Sequence, residues 1–343
     1  MANINVFMVG GRRAGKTTVL ASMTKDLNGI TAGTNLAFTT IRGGLTTTLS
    51  DKCNEINDLF YDVKNRFFTV DDNPTVVRND YNFGLKIAGK ADKGFQLRFS
   101  DVPGEWFESG MNDEEVEKAV EESQVIIIAI DAPHLMEEKD DNGVGRYHNQ
   151  FNKVDIITNY FKNKFTTEKL KNRLVLFVPL KCEKYFHKNA DPDLNHEQNS
   201  IMQELAETVK KGYSELFAFF GSENLKENCT VAITPILTIG GVDFFRFEQE
   251  NGSRLSKYMY CMKPSDRKYD PKYCSQPALY TFIYILKLYK RAPKLPFPFN
   301  FFQSVFFGGV DGAAMETEIG KLSKLLNKNK EEGFEIVQNP LGL

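Results

Sequence analysis

One stretch near the amino end, Gly10-Gly11-Arg12-Arg13-Ala14-Gly15-Lys16-Thr17, sets the tightest limit on what this chain can fold into. It carries glycine, lysine and a hydroxyl at every fixed position of the GxxxxGK[ST] loop. An apolar run, Ile4 to Val9, precedes it, and an amphipathic segment, Thr17 to Leu27, follows it. Strand, glycine-rich turn and helix in that order let backbone N–H groups curl around an anion at the positive end of a helix. Glycine permits that path. Gly10, Gly11, Arg12, Ala14, Gly15, Lys16, Thr17 and Thr18 are therefore the candidate phosphate-binding residues. Lys16 supplies a compact charge to β- and γ-phosphates, and the Thr17 hydroxyl is a ligand for Mg²⁺.

The rest of the chain repeats the alternation that such a loop needs. Three apolar, β-branched runs, Val125 to Ile130, Leu174 to Val178 and Cys229 to Leu237, are too short for helices and read as buried parallel strands. Residues 81–99 read as an antiparallel hairpin turning at Gly89 to Gly94. Helical spacing falls at about 54–67, 113–122, 147–165, 197–220 and 277–290. The fold class this predicts is α/β: a doubly wound, mostly parallel P-loop sheet with one antiparallel strand, plus a helical C-terminal extension. The domain expectation is a nucleotide-binding unit over 1–290 and an extension over 291–343. The extension opens with Pro293, Pro296 and Pro298, runs through phenylalanines from Phe297 to Phe307, and ends in an amphipathic segment with Ile319, Leu322, Leu325 and Leu326 on one face.

Composition removes several function classes. Against 43 Lys and Arg stand 45 Asp and Glu, so the net charge is −2, and no basic patch interleaved with aromatics marks a nucleic-acid binder. No apolar stretch approaches the length of a membrane span. The first residues lack a basic region and read as no secretory leader, and five scattered cysteines form no disulfide pattern, which points to a cytoplasmic protein. Cys182, His187 and His196 are too loosely spaced to specify a zinc site.

A second motif, Asp101-Val102-Pro103-Gly104-Glu105, ends the hairpin's apolar strand, where open α/β sheets place ligands. Asp101 there holds Mg²⁺, usually through water, and the Gly104 N–H meets the γ-phosphate. With this pair of motifs the chain resembles the Ras-like, translation-factor-related P-loop GTPases. The wording DVPGEWF is most similar to the bacterial double-GTPase families of conflict or signalling systems. The resemblance spans about residues 4–240 and a closing helix at 277–290.

The resemblance implies GTP or GDP and Mg²⁺ as ligands, and further site residues with them. Pro179-Leu180-Lys181-Cys182-Glu183 stands where these families carry [NT]KxD. Lys181 matches the family lysine, Leu180 replaces Asn or Thr, and Glu183 replaces the guanine-binding aspartate. Thr238-Ile239-Gly240-Gly241 stands at the last guanine-contacting segment without the family's letters. The Mg²⁺-completing threonine of the first switch is expected at Thr75, with Thr69 and then the Thr46–Thr48 run as alternatives. Glu105 occupies the place of the water-orienting Gln, so slow hydrolysis and a need for a protein activator or effector are implied. Arg12 and Arg13 either point to solvent and acidic partners or one serves as a finger on the γ-phosphate, with Arg13 the catalytic candidate beside Lys16 and Glu105. An ATPase, or an interaction module that binds nucleotide without turnover, are the rival readings.

Two surfaces carry weaker signals. The acidic helix at 112–122 reads as a solvated face or as a docking face that follows the nucleotide. The Phe-rich run and the lysine-flanked 314–330 segment leave peripheral membrane contact open beside core packing and self-association.

Overall fold

A computed structural model describes residues 2–30, 36–40, 44–62, 66–70, 77–87, 90–109, 113–166, 168–186, 201–250, 253–262, 268–291, 312–328 and 333–343. The first strand, β1 (Ala2–Val9), has a different partner on each edge. On one side runs β5 (Lys90–Asp101), on the other β6 (Val125–Asp131), both parallel to it. Beyond β6 follow β7 (Arg173–Leu180) and β8 (Cys229–Ile233), again parallel. Beyond β5 lie β4 (Asn79–Ile87), antiparallel as the hairpin predicts, and β2 (Leu36–Thr40). Lys90 to Gly94, read as turn from the sequence, belongs to β5, and residues 88–89 lie outside the described residues. β11 (Glu335–Gln338) closes the other edge antiparallel to β8, so the eight-stranded sheet draws on residues beyond 290 and has a second reversed strand.

Alternation along the strands divides the core into two layers, as a sheet covered on both faces requires. Ile4, Val6 and Met8 with Val125, Ile127 and Ala129 face α1 (Lys16–Ile30), α2 (Gly44–Asp62), α11 (Gln276–Arg291) and α12 (Gly312–Lys328). Phe7 and Val9 with Ile126, Ile128 and Ile130 face the opposite layer. That layer contains α3 (Gly104–Ser109), α4 (Asp113–Glu122), α5 (Ala132–Met136), α6 (His148–Asn152), α7 (Val154–Lys164), α8 (Met202–Gly212), α9 (Ser214–Phe220) and α10 (Glu223–Lys226). The single helices expected over 147–165 and 197–220 are each two, the first pair broken where Lys153 takes φ 56°.

The helix expected over 54–67 starts earlier and stops sooner, because Phe67 opens a strand. β3 (Phe67–Val70) pairs antiparallel with β10 (Ser253–Met262), which pairs with β9 (Val242–Glu250). This second sheet, absent from the sequence reading, closes its own core around Ile56, Val242, Phe244, Tyr258 and Tyr260. It stands beside the carboxyl ends of β6 and β7.

The stripe Ile319, Leu322 and Leu326 on α12 is buried in the main core, where it packs with α11. The Phe-rich run, Phe297 to Phe307, lies outside the described residues.

Candidate functional site

Strand order reverses at β1, and the crevice at its carboxyl end is where an open α/β sheet binds ligands. The Gly10–Thr17 loop fills that end. Gly15 takes φ +103°, a conformation that costs a side chain but not glycine. Gly11 meets a tighter limit: a Cβ there would lie 1.8 Å from the Phe151 carbonyl oxygen. The first bond of α1 runs from Val19 N–H to the Gly15 oxygen at 2.9 Å, so the helix begins at Lys16 with its first-turn amides facing the loop. Lys16 is buried, and its Nζ donates to the carbonyl oxygens of Gly10 at 3.0 Å and Gly11 at 3.3 Å. Burial lowers its pKa, with Asp101 opposing the shift.

Asp101 ends β5 in register with Met8 of β1. Its Oδ2 accepts the Thr17 hydroxyl at 2.9 Å. The carboxylate is fully buried, and Tyr81 beside it has its pKa pushed up to about 12 by burial and by Asp101. Two hard oxygen donors, converging next to the lysine of a phosphate loop, fit Mg²⁺. Gly104 rests on the loop itself: a Cβ there would lie 2.9 Å from both the Arg12 nitrogen and the Gly10 oxygen. The next residue, Glu105, is ion-paired through Oε1 to Arg12 Nη1 at 2.6 Å.

Lys181, after β7, takes φ 61° and is buried. Its Nζ donates to the Arg13 carbonyl oxygen at 2.9 Å and to Asp131 Oδ2 at 2.7 Å, and sits 3.8 Å from the centre of the Tyr258 ring. Asp131, at the end of β6, also accepts the Tyr258 hydroxyl at 2.7 Å and caps α5 through the His134 N–H. Burial alone would raise the pKa of Asp131, but Lys181 and His134 outweigh it and hold the carboxyl well below its ordinary range. His134 is stacked between Phe151 and Phe247, so the second sheet is joined to the loop end of the first.

Glu183 is buried in a 3₁₀ turn, Glu183–Phe186. Its Oε1 accepts the N–H groups of Ile239 at 2.7 Å and Gly240 at 3.2 Å. The two segments read from sequence as base-facing, 180–183 and 238–241, are thus bonded to each other, and Lys181 N–H adds a bond to Thr238 Oγ1 at 3.0 Å.

The phosphate-loop candidates, Gly10, Gly11, Arg12, Arg13, Ala14, Gly15, Lys16, Thr17 and Thr18, therefore gather with Asp101, Gly104, Glu105 and Lys181 at one end of the sheet. Thr75 lies outside the described residues. Thr69 is exposed on β3, paired with Met259, and Thr47 and Thr48 are exposed on α2. Cys182 is buried, His187 and His196 lie outside the described residues, and no group of three or more His, Cys, Asp or Glu placed to hold a metal occurs among the described ones. The acidic face of α4 is ion-paired: Asp113 to Lys164 at 2.8 Å, Glu117 to Lys169 at 3.2 Å, Glu115 to Arg78 at 3.1 Å. Asp131, His134 and Tyr258 escaped the sequence reading. Asp131 had a signal, a carboxylate ending a buried parallel strand, whereas His134 and Tyr258 had none.

The order of strands around β1, the loop that follows it and the two motifs bonded across that loop define a P-loop protein of the GTPase type. The family described as Double-GTPase 2 matches residues 4–232, and the chain belongs to that family. No curated protein sequence matches it. Era in complex with MgGDPNP and nucleotides of 16S ribosomal RNA is similar to it at 17% identity, with a TM-score of 0.29 over 69% of this chain and 52% of that one. The Saccharomyces cerevisiae Ski7 GTPase-like domain, bound to GDP and inorganic phosphate, gives 14%, 0.34, 69% and 43%. Methanosarcina barkeri Roco2 bound to GDP gives 13%, 0.29, 69% and 44%. The chain thus spans about half the length of these solved proteins or less. Among the described residues no helix is long and apolar enough to cross a membrane.

Proposed function

We propose that the chain is a Mg²⁺-dependent guanine nucleotide-binding protein that hydrolyses GTP slowly and works as a conformational switch. The observation that carries this is the 2.9 Å bond from Thr17 to Asp101 beside the buried Lys16. In this reading Lys16 takes the β- and γ-phosphates, while the amides of Gly11 to Thr18 surround them. Thr17 and Asp101 hold Mg²⁺, which neutralises charge on the transferred phosphoryl group. Thr75 remains the proposed third switch ligand. Glu105 orients the water, and Arg13 is a candidate for γ-phosphate contact. Lys181 and Glu183 frame the base. A protein activator or effector and a place in a bacterial signalling or defence system complete the proposal, with the cytoplasm as the compartment.

One observation favours a second reading, an ATPase. The Oε1 of Glu183 is engaged by Ile239 and Gly240, and Leu180 lacks a side-chain amide, so base discrimination rests on fewer groups than in related GTPases.

The switch is tested by limited proteolysis of the full chain with Mg²⁺ and GDP or a non-hydrolysable GTP analogue. The proposal expects cleavage within 68–80 and 104–112 to differ between the two nucleotides. Identical patterns under saturating nucleotide mean a static nucleotide-stabilised module.

A further inference from the structure

A glutamate next to the DxxG glycine sets an electrostatic problem. Whatever it does for a water, its carboxylate stands beside the phosphate loop, within 2.6 Å of Arg12, and like charges at short range repel. The fold supplies a nearby cation from within the phosphate loop. Arg12 Nη1 is 2.6 Å from Glu105 Oε1, and each side chain is 49% exposed. Gly104 keeps the two segments close, because a Cβ there would lie 2.9 Å from the Arg12 nitrogen and the Gly10 oxygen, so no side chain fits between them.

An ion pair this exposed contributes little to folding. Its position, bridging the loop and the second motif, is therefore not accounted for by stability. We propose that Arg12 is the counter-charge of Glu105: it cancels the carboxylate's field at the terminal phosphate and so keeps the triphosphate form bindable with Glu105 in place. Arg12 acts here as a positioning residue. Its effect is expected on triphosphate binding rather than on diphosphate binding, because the second motif is the one that meets the third phosphate. The inference rests on the nucleotide-binding reading above.

The weak contribution to folding makes the test clean. The full-length chain and its Arg12→Ala, Glu105→Gln and double variants are titrated in Mg²⁺ with fluorescent GDP and a non-hydrolysable GTP analogue. The quantity read is the ratio of triphosphate to diphosphate affinity. Arg12→Ala is expected to lower that ratio roughly tenfold, equivalent to about 1.4 kcal/mol. Adding Glu105→Gln restores it to within about twofold, because the carboxylate charge is gone, and Glu105→Gln alone does not lower it. An unchanged ratio in Arg12→Ala overturns the proposal. So does a fall that Glu105→Gln fails to relieve, which means Arg12 binds phosphate directly. If the unaltered chain binds neither nucleotide, the functional reading itself is wrong and this inference goes with it. That outcome is distinct from binding whose ratio ignores Arg12.

Discussion

Lys181 Nζ bonds both the Arg13 carbonyl oxygen, at 2.9 Å, and Asp131 Oδ2, at 2.7 Å, so one buried ammonium ties the phosphate loop to the ends of β6 and β7. The cation is taken from water only because a carboxylate, a carbonyl and the Tyr258 ring receive it. Removing one partner of such a pair costs more than the pair contributes, since the other charge stays buried. Asp131→Ala should lose about 3–5 kcal/mol of unfolding free energy in urea. Tyr258→Phe keeps the ring over Lys181 and loses one hydroxyl bond, so it should lose only about 1 kcal/mol. Equal losses would show that the Tyr258 hydroxyl bond, not the Lys181–Asp131 charge pair, holds the junction.

Gly11 tests the packing of the loop. Gly11→Ala places a methyl 1.8 Å from the Phe151 oxygen, so the loop or α6 must move. A loss above about 3 kcal/mol is expected, from steric strain in a packed region. Gly320→Ala, where nothing lies within 4 Å of the added carbon, should instead gain up to about 1 kcal/mol from helix propensity. Calorimetric melting of both variants checks the contrast.

His148 predicts an acid-sensitive component of stability. It is buried on α6, its Nδ1 lies 2.9 Å from Asn152 Nδ2, and burial pushes its pKa down to about 4. The unfolded chain, with an ordinary imidazole near 6.5, binds the proton first as pH falls. The contribution is thus fully present above pH 6.5 and is lost between about 6.5 and 4, amounting to about 3 kcal/mol. The difference in unfolding free energy between the unaltered chain and His148→Gln should shrink across that window. A difference that is flat from pH 7 to 4 would contradict the assignment.

Thr17→Ala addresses the metal. The hydroxyl is one of the two oxygens converging beside Lys16, so its loss should remove most of the Mg²⁺ dependence of nucleotide binding. The expected effect is at least the roughly tenfold that outer-shell changes cause. Affinity measured with Mg²⁺ and with a chelator gives the ratio directly.

The loop, its flanking strand and helix, and Asp101 were legible because each is local: a spacing of residue types between two apolar segments. Lys181 was legible as a family position, but its partner Asp131 was not. Their contact joins residues 50 apart in sequence across two parallel strands. The second sheet was missed for a different reason. Residues 242–262 mix charge with aromatics, and their pairing with Phe67–Val70 is set by tertiary packing that no local period records. Glu183 shows the same limit from another side. The letter marks a carboxylate in the base segment, yet only the fold turns it toward the Ile239 and Gly240 amides.

Whether guanine nucleotide is held at the Gly10–Thr17 loop is decided by titrating the purified chain in Mg²⁺ with fluorescent GTP, GDP and ATP, with Lys16→Ala alongside. Saturable binding of GTP and GDP, weaker binding of ATP, and loss of all three in the Lys16 variant are expected. Binding that prefers ATP, or that survives Lys16→Ala unchanged, rules out a guanine nucleotide site at this loop.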